Sequence, residues 1–177
     1  MSSQAEFSRP VRLDTLPATG KPMAVEADAT ERAALAERFD LVAIDRLAAT
    51  LTLKRDGTAV TAKGRLEAAV TQSCVASGVP LEAVIEEDFD ILFRPEPVDA
   101  TPDDEIELSE AECDVVFYQG AMIDVGEAVA ETLSLSLDPW PRAPNAEEAL
   151  REAGVKTEEV AKRESSPFAG LAALKKK

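Results

Sequence analysis

Apolar and polar positions alternate from Leu47 to Leu53: Leu47, Ala49, Leu51 and Leu53 fall on one face, and Ala48, Thr50, Thr52 and Lys54 on the other. A period of two predicts a half-buried strand. Arg55-Asp56-Gly57 predicts a hairpin turn centred on Asp-Gly, because both residues tolerate positive φ. The return strand starts at Thr58-Ala59-Val60 and runs through Leu66, Ala68, Val70 and Gln72 to Cys74, with Gly64 expected to mark a bulge or bend. A second turn, Ala76-Ser77-Gly78-Val79-Pro80, leads into a third strand, Leu81 to Phe93, with Phe89, Ile91 and Phe93 on one face. These segments predict an antiparallel meander of three long strands.

Elsewhere the period becomes helical. Asp28 to Phe39 predicts a helix that opens on a capping-box spacing, Asp28 with Glu31, and places Leu35 and Phe39 on one face. Ile123 to Leu137 carries the same spacing at Asp124 and Glu127, and Leu135 and Leu137 are expected to thicken its apolar side. Asp138-Pro139-Trp140-Pro141 ends it. Short strands are predicted at Phe7–Leu16, Met23–Ala27 and around Val115–Tyr118, and a proline-rich loop over Arg94–Asp104. Asn145–Gly154 reads as a short exposed helix. After a charged linker, Ser166 and Pro167 open a small terminal helix whose Phe168, Leu171 and Leu174 form a narrow apolar stripe. That stripe either packs back on the sheet or inserts in a partner's groove. The expected fold is α+β: a twisted antiparallel sheet, curling toward a partly open barrel, with helices packed on one side. The expected division is a domain at 1–144 and a less ordered tail at 145–177.

Composition adds an aliphatic core, since 45% of the 177 residues are apolar but only 5% aromatic. No run approaches the ~20 apolar residues that span a bilayer, so a cytoplasmic protein without membrane contact is expected. Charge is uneven. Residues 1–80 carry ten Lys or Arg against ten acids, residues 81–148 two against twenty, and residues 149–177 seven against four. The middle block repels phosphate and favours basic partners, or serves solubility alone.

Candidate chemistry is sparse. The chain has no histidine, which removes Ser-His and Cys-His nucleophiles and the commonest general base. Cys74 and Cys113, thirty-nine positions apart, have no metal-ligand spacing and are expected as reduced thiols. The acidic run from Asp99 to Asp114 lacks the turn glycine of a calcium loop, and no glycine pattern cradles phosphate. No enzymatic activity, metal or cofactor is expected. Trp140, between two prolines, is expected to plug the core behind the long helix, with anchoring of a partner as its other reading.

Three features occur in order: the strand ending in Cys74 before Pro80-Leu81-Glu82; Ile123-Asp124-Val125-Gly126-Glu127 running to Leu135-Ser136-Leu137-Asp138-Pro139; and the ending Ser166-Pro167-Phe168-Ala169-Gly170-Leu171-Ala172-Ala173-Leu174-Lys175. Together they resemble the YceD family of bacterial and plastid proteins. The resemblance implies a non-catalytic role in accumulation of 23S ribosomal RNA and biogenesis of the large ribosomal subunit. Some family members carry Cys-x-x-Cys after the strand; here Cys74 is kept and Ser77 stands at the second place, a remnant of that motif. The terminal motif usually begins Asn-Pro-Phe and here begins Ser-Pro-Phe. Combined with the acidic block, the resemblance leads to an adaptor that holds a basic ribosomal protein or assembly factor on the large-subunit precursor and meets rRNA indirectly. Its partner-binding residues would be Pro167, Phe168, Leu171, Leu174 and Trp140. The competing readings are an acidic chaperone or inhibitor that sequesters a basic protein outside ribosome assembly, and a carboxylate-based hydrolase.

Overall fold

A computed structural model describes residues 6–97 and 114–155. They divide into two compact units: residues 6–72, 82–97 and 114–139 form the first, and residues 73–81 and 140–155 the second.

The first unit is built on a five-stranded sheet. Strands β2 (Lys21–Glu26), β3 (Ala43–Asp56), β4 (Ala59–Ser73), β5 (Pro80–Pro95) and β6 (Asp114–Tyr118) lie side by side in that order. A short β1 (Pro10–Arg12) pairs antiparallel with β7 (Met122–Asp124), apart from the main sheet. The edge strands β2 and β6 do not pair, so the sheet is open and no barrel closes. The meander read from the sequence is present as β3, β4 and β5. The departure from an antiparallel sheet is β6, which runs parallel to β5, with Ile91 opposite Asp114 and Pro95 opposite Tyr118. A parallel neighbour requires a connection of about a dozen residues or more, and the sequence separation of Pro95 and Asp114 meets that requirement.

Alternation fixes which face is buried. Leu47, Ala49, Leu51 and Leu53 of β3, Val60, Ala62, Leu66, Ala68 and Val70 of β4, and Phe89, Ile91 and Phe93 of β5 share one core. Helices α1 (Ala29–Arg38) and α2 (Val125–Ser136) add Leu35, Ala36, Val125, Ala128, Val129, Ala130 and Leu133 to it. Ion pairs sit on the other face: Arg46 with Glu67, Lys63 with Asp90, and Arg65 with Glu86 and Asp88.

Two local expectations change. The bulge lies at Asp45, between Ile44 and Arg46, where the register against β4 slips. The extra residue lets Ile44 and Leu47 both point inward although they are three apart. Gly64 instead keeps a regular pair with Leu51. A Cβ there would lie 2.4 Å from the Thr50 carbonyl oxygen and 2.6 Å from Leu51 Cβ, so glycine permits the two strands to close. The hairpin turn also sits one residue later than expected: Asp56 pairs with Ala59, leaving Gly57 and Thr58 at its centre, and of these only Gly57 has positive φ. That is the φ pattern of a type II′ turn rather than type I′.

Both helix starts behave as their spacing demands, with one difference. Asp28 accepts the amides of Thr30 and Glu31, and Glu31 reaches back to the Asp28 amide, closing the capping box. Asp124 caps α2 by accepting from Gly126 and Glu127. Glu127 turns away to Arg38 instead of closing a box, at 2.7 Å.

We expect Gly64→Ala to destabilise the protein by about 1–3 kcal/mol, the usual cost of forcing an extra carbon into a packed site. Urea unfolding should show a lower midpoint with an unchanged slope. An unchanged midpoint would mean that β3 and β4 separate at this pair without cost.

Candidate functional site

The second unit is organised by the turn after β4. The Cys74 amide donates to the Val79 carbonyl and the Gly78 amide to the Cys74 carbonyl, closing a loop of five residues at 2.9 and 2.8 Å. The Val75 amide donates to the Pro141 carbonyl, and the Ala143 amide donates to Cys74 Sγ at 3.3 Å. Cys74, Ala143 and Ala146 form a small buried cluster, with Ala76 and Leu81 packed against it. Ala146 begins α3 (Ala146–Glu152). Only 2% of Cys74 is exposed, and it is a free thiol.

The place of the Cys-x-x-Cys remnant is therefore a sulfur seated among donors. The Ser77 hydroxyl oxygen is buried and meets no partner at full hydrogen-bond geometry, so it acts on the sulfur as a nearby dipole. That hydroxyl first, then the Ala143 amide, hold the thiol down to about 7 against the opposing effect of burial; the amides of Ala76 and Ser77 act in the same direction. With one sulfur and one hydroxyl the turn offers no set of soft ligands. Among the described residues no group of three or more His, Cys, Asp or Glu is placed to hold a metal ion.

Trp140 does not plug the core. It is 72% exposed: Pro139 stops the helix from continuing, and the backbone runs on to Pro141, which engages the Cys74 turn. Val75 and Val79 of the same unit are exposed as well. Pro167, Phe168, Leu171, Leu174 and Cys113, together with the acidic run over 99–113, lie outside the described residues.

The second sequence motif turns out to be architectural. Ile123 and Val125 are buried, Asp124 is a cap, and Glu127 pairs with Arg38. Gly126 brings α2 against the N-terminal segment: a Cβ there would lie 2.4 Å from the Phe7 carbonyl oxygen and 2.9 Å from the Arg9 amide. Asp124 Oδ1 also accepts the Arg9 amide, and Oδ2 accepts the Ser8 hydroxyl.

The placement of the cations escaped the sequence reading. Arg9 pairs with Glu31, Arg12 with Asp14, Arg38 with Glu6 and Glu127, Arg46 with Glu67, Lys63 with Asp90, and Arg65 with Glu86 and Asp88. Arg32 and Arg55 donate to backbone carbonyls. The signal was available for Lys63 and Arg65, which alternate on the polar face of β4 as Glu86, Asp88 and Asp90 do on β5.

In a Cys113→Ser background, titration of thiolate absorbance should place Cys74 near 7, and Ser77→Ala should move it upward. Because the folded value is depressed, the associated stability is full above the ordinary thiol value and is lost as pH falls through about 7. A titration near the ordinary thiol value of about 8.5 in both proteins would remove the turn's donors as the cause.

No helix among the described residues is long and apolar enough to cross a membrane. No curated relative and no solved structure matches the chain. A family model described as large ribosomal RNA subunit accumulation protein YceD matches residues 62–175, from within β4 across α2 and into the C-terminal segment. With more than half of its length matched, and with the Cys74 turn and the Asp124-to-Glu127 cap inside that match, the chain belongs to the YceD family of large ribosomal RNA subunit accumulation proteins.

Proposed function

We propose that this protein is a non-catalytic adaptor in large ribosomal subunit biogenesis, which holds a basic ribosomal protein or assembly factor through its acidic surface and meets rRNA indirectly. The observation that carries this reading is the engagement of six of its described cations by carboxylates. Arg9, Arg12, Arg38, Arg46, Lys63 and Arg65 each face a carboxylate within 3.2 Å. A phosphate backbone would have to displace those carboxylates before it contacted these six cations, and it would approach a block of twenty acids against two cations over residues 81–148. A lysine- or arginine-rich protein meets the same surface with attraction and a raised association rate. Pro167, Phe168, Leu171 and Leu174 are proposed as a docking motif, and Trp140 as an exposed anchor of the kind found at interface hot spots.

Gradient sedimentation of a lysate containing tagged protein tests this. Full-length protein should travel with large-subunit particles at low salt, leave them at high salt, and lose them when residues 165–177 are removed. Protein at the top of the gradient in every form would favour sequestration of a free basic protein. Tight binding of naked 23S fragments, with a salt slope of many phosphates, would sink the indirect contact.

A further inference from the structure

The first unit holds a groove of about 760 Å³ between the outer side of α2 and strands β5 and β6. Its floor is apolar, with Phe89, Ile91 and Val116, and Leu135 stands over it from α2. Three carboxylates stand at it: Glu87 from β5, Asp114 from the start of β6, and Glu131 from α2; Asp88 and Asp90 border it through the strand, with their carboxylates on the sheet's other face. No lysine or arginine is among its described lining residues.

Leu135 is the side chain out of place. The sequence pattern expected it to thicken the buried side of α2, yet it is 82% exposed while Leu133 is completely buried. Two residues turn a helix through about 200°, so Leu133 and Leu135 face nearly opposite ways. Leu135 instead continues the row Ala128, Glu131 and Thr132, all of which line the groove. An isolated exposed leucine needs no explanation. One that overhangs an apolar floor ringed by carboxylates forms part of an amphipathic surface.

Lys63 and Arg65 are engaged by Asp90 and Asp88 on the polar face of the sheet, away from the rim. Glu131 has an unfavourable setting: burial first, then the neighbouring Glu127, push its carboxyl up, and Arg38 pulls the other way. An arriving cation would relieve that setting.

We propose that this groove docks a lysine- or arginine-rich protein segment that also carries aliphatic side chains, the aliphatic groups against Leu135, Phe89 and Ile91 and the cations against Glu87, Asp114 and Glu131. The occupant follows from complementarity. Nucleic acid is repelled by the rim, and an apolar acidic segment or a second copy of this face brings carboxylate to carboxylate. This inference rests on the adaptor reading and gives that reading its contact surface.

The probe is a short synthetic peptide of alternating lysine and leucine, with an all-lysine peptide of equal charge as control, each titrated onto the full chain. The mixed peptide should bind more tightly than the control. Leu135→Ser should weaken it about tenfold, the order expected from losing one buried leucine contact. Glu131→Gln combined with Asp114→Asn should slow association and flatten its salt dependence. Val84→Ser, at a 78% exposed site outside the groove lining, should change nothing. Leu135 is exposed enough for its substitution to leave the fold intact, which thermal melting checks. If the wild type binds the mixed peptide and Leu135→Ser binds it equally, the groove is overturned while the adaptor reading stands. If neither peptide binds and naked 23S fragments do, the adaptor reading falls and the groove with it. A concentration-dependent dimer abolished by Leu135→Ser would make the occupant a second copy and overturn the proposal.

Discussion

The approach of residues 7–9 to the N-terminus of α2 is the contact on which the first unit depends. It is permitted by the missing side chain at Gly126 and held by the carboxylate of Asp124. One oxygen of that carboxylate accepts amides from Arg9, Gly126 and Glu127, so it satisfies the helix end and the incoming strand together. Arg9 then reaches across to Glu31 with two hydrogen bonds, at 2.6 and 2.8 Å, and Glu31 closes the capping box of α1. The two helices are thus oriented through one arginine and one aspartate. Arg38, between Glu6 and Glu127, adds a second tie between the same elements. These pairs are partly shielded, so they constrain geometry more than they add stability; the apolar core supplies most of the latter.

This arrangement gives a physical meaning to the Ile123-to-Glu127 motif. Its residues are two core side chains, a cap, a close approach and an ion-pair partner. None is a ligand or a reactive group in the described structure. A motif that looks functional because it is distinctive here is a condition of folding, and surface chemistry has to be sought elsewhere.

The sequence was most readable where one physical effect dominates. Period-two alternation placed Leu47 to Leu53 and Leu66 to Cys74 correctly on the buried side, because a strand's side chains have only two directions. The capping box at Asp28 was legible for the same reason: it is closed within four residues. Errors arose where a distant element decides. Gly64 resembles a bulge glycine until its partner Leu51 is known. The direction of β6 is set by its pairing with β5, which no local pattern encodes. The usual burial of tryptophan points Trp140 inward, yet it stands 72% exposed. Leu135 failed on counting apolar residues without their angles, and Leu133, two positions earlier, had already taken the inward direction.

The uneven charge of the chain also changes meaning once folded. As a sequence, residues 1–80 look neutral and residues 81–148 strongly acidic, as though the two stretches were separate surfaces. Folding lays β4 beside β5, so Lys63 and Arg65 from the neutral stretch are drawn onto acids of the acidic one. The outer face of the sheet becomes a mixed lattice of exposed pairs, each worth little in stability. The cost falls on a polyanion approaching that face, which must compete with carboxylates already in place. Among the described residues the acids toward α2 have no such cross-strand lattice: burial first, and then the neighbouring Glu127, disfavour the charge of Glu131. The net charge is therefore a poor guide to where a basic partner would settle. Pairing cancels much of it on the open face of the sheet and leaves it standing beside an apolar floor, where a cation carried on an aliphatic stem gains from both.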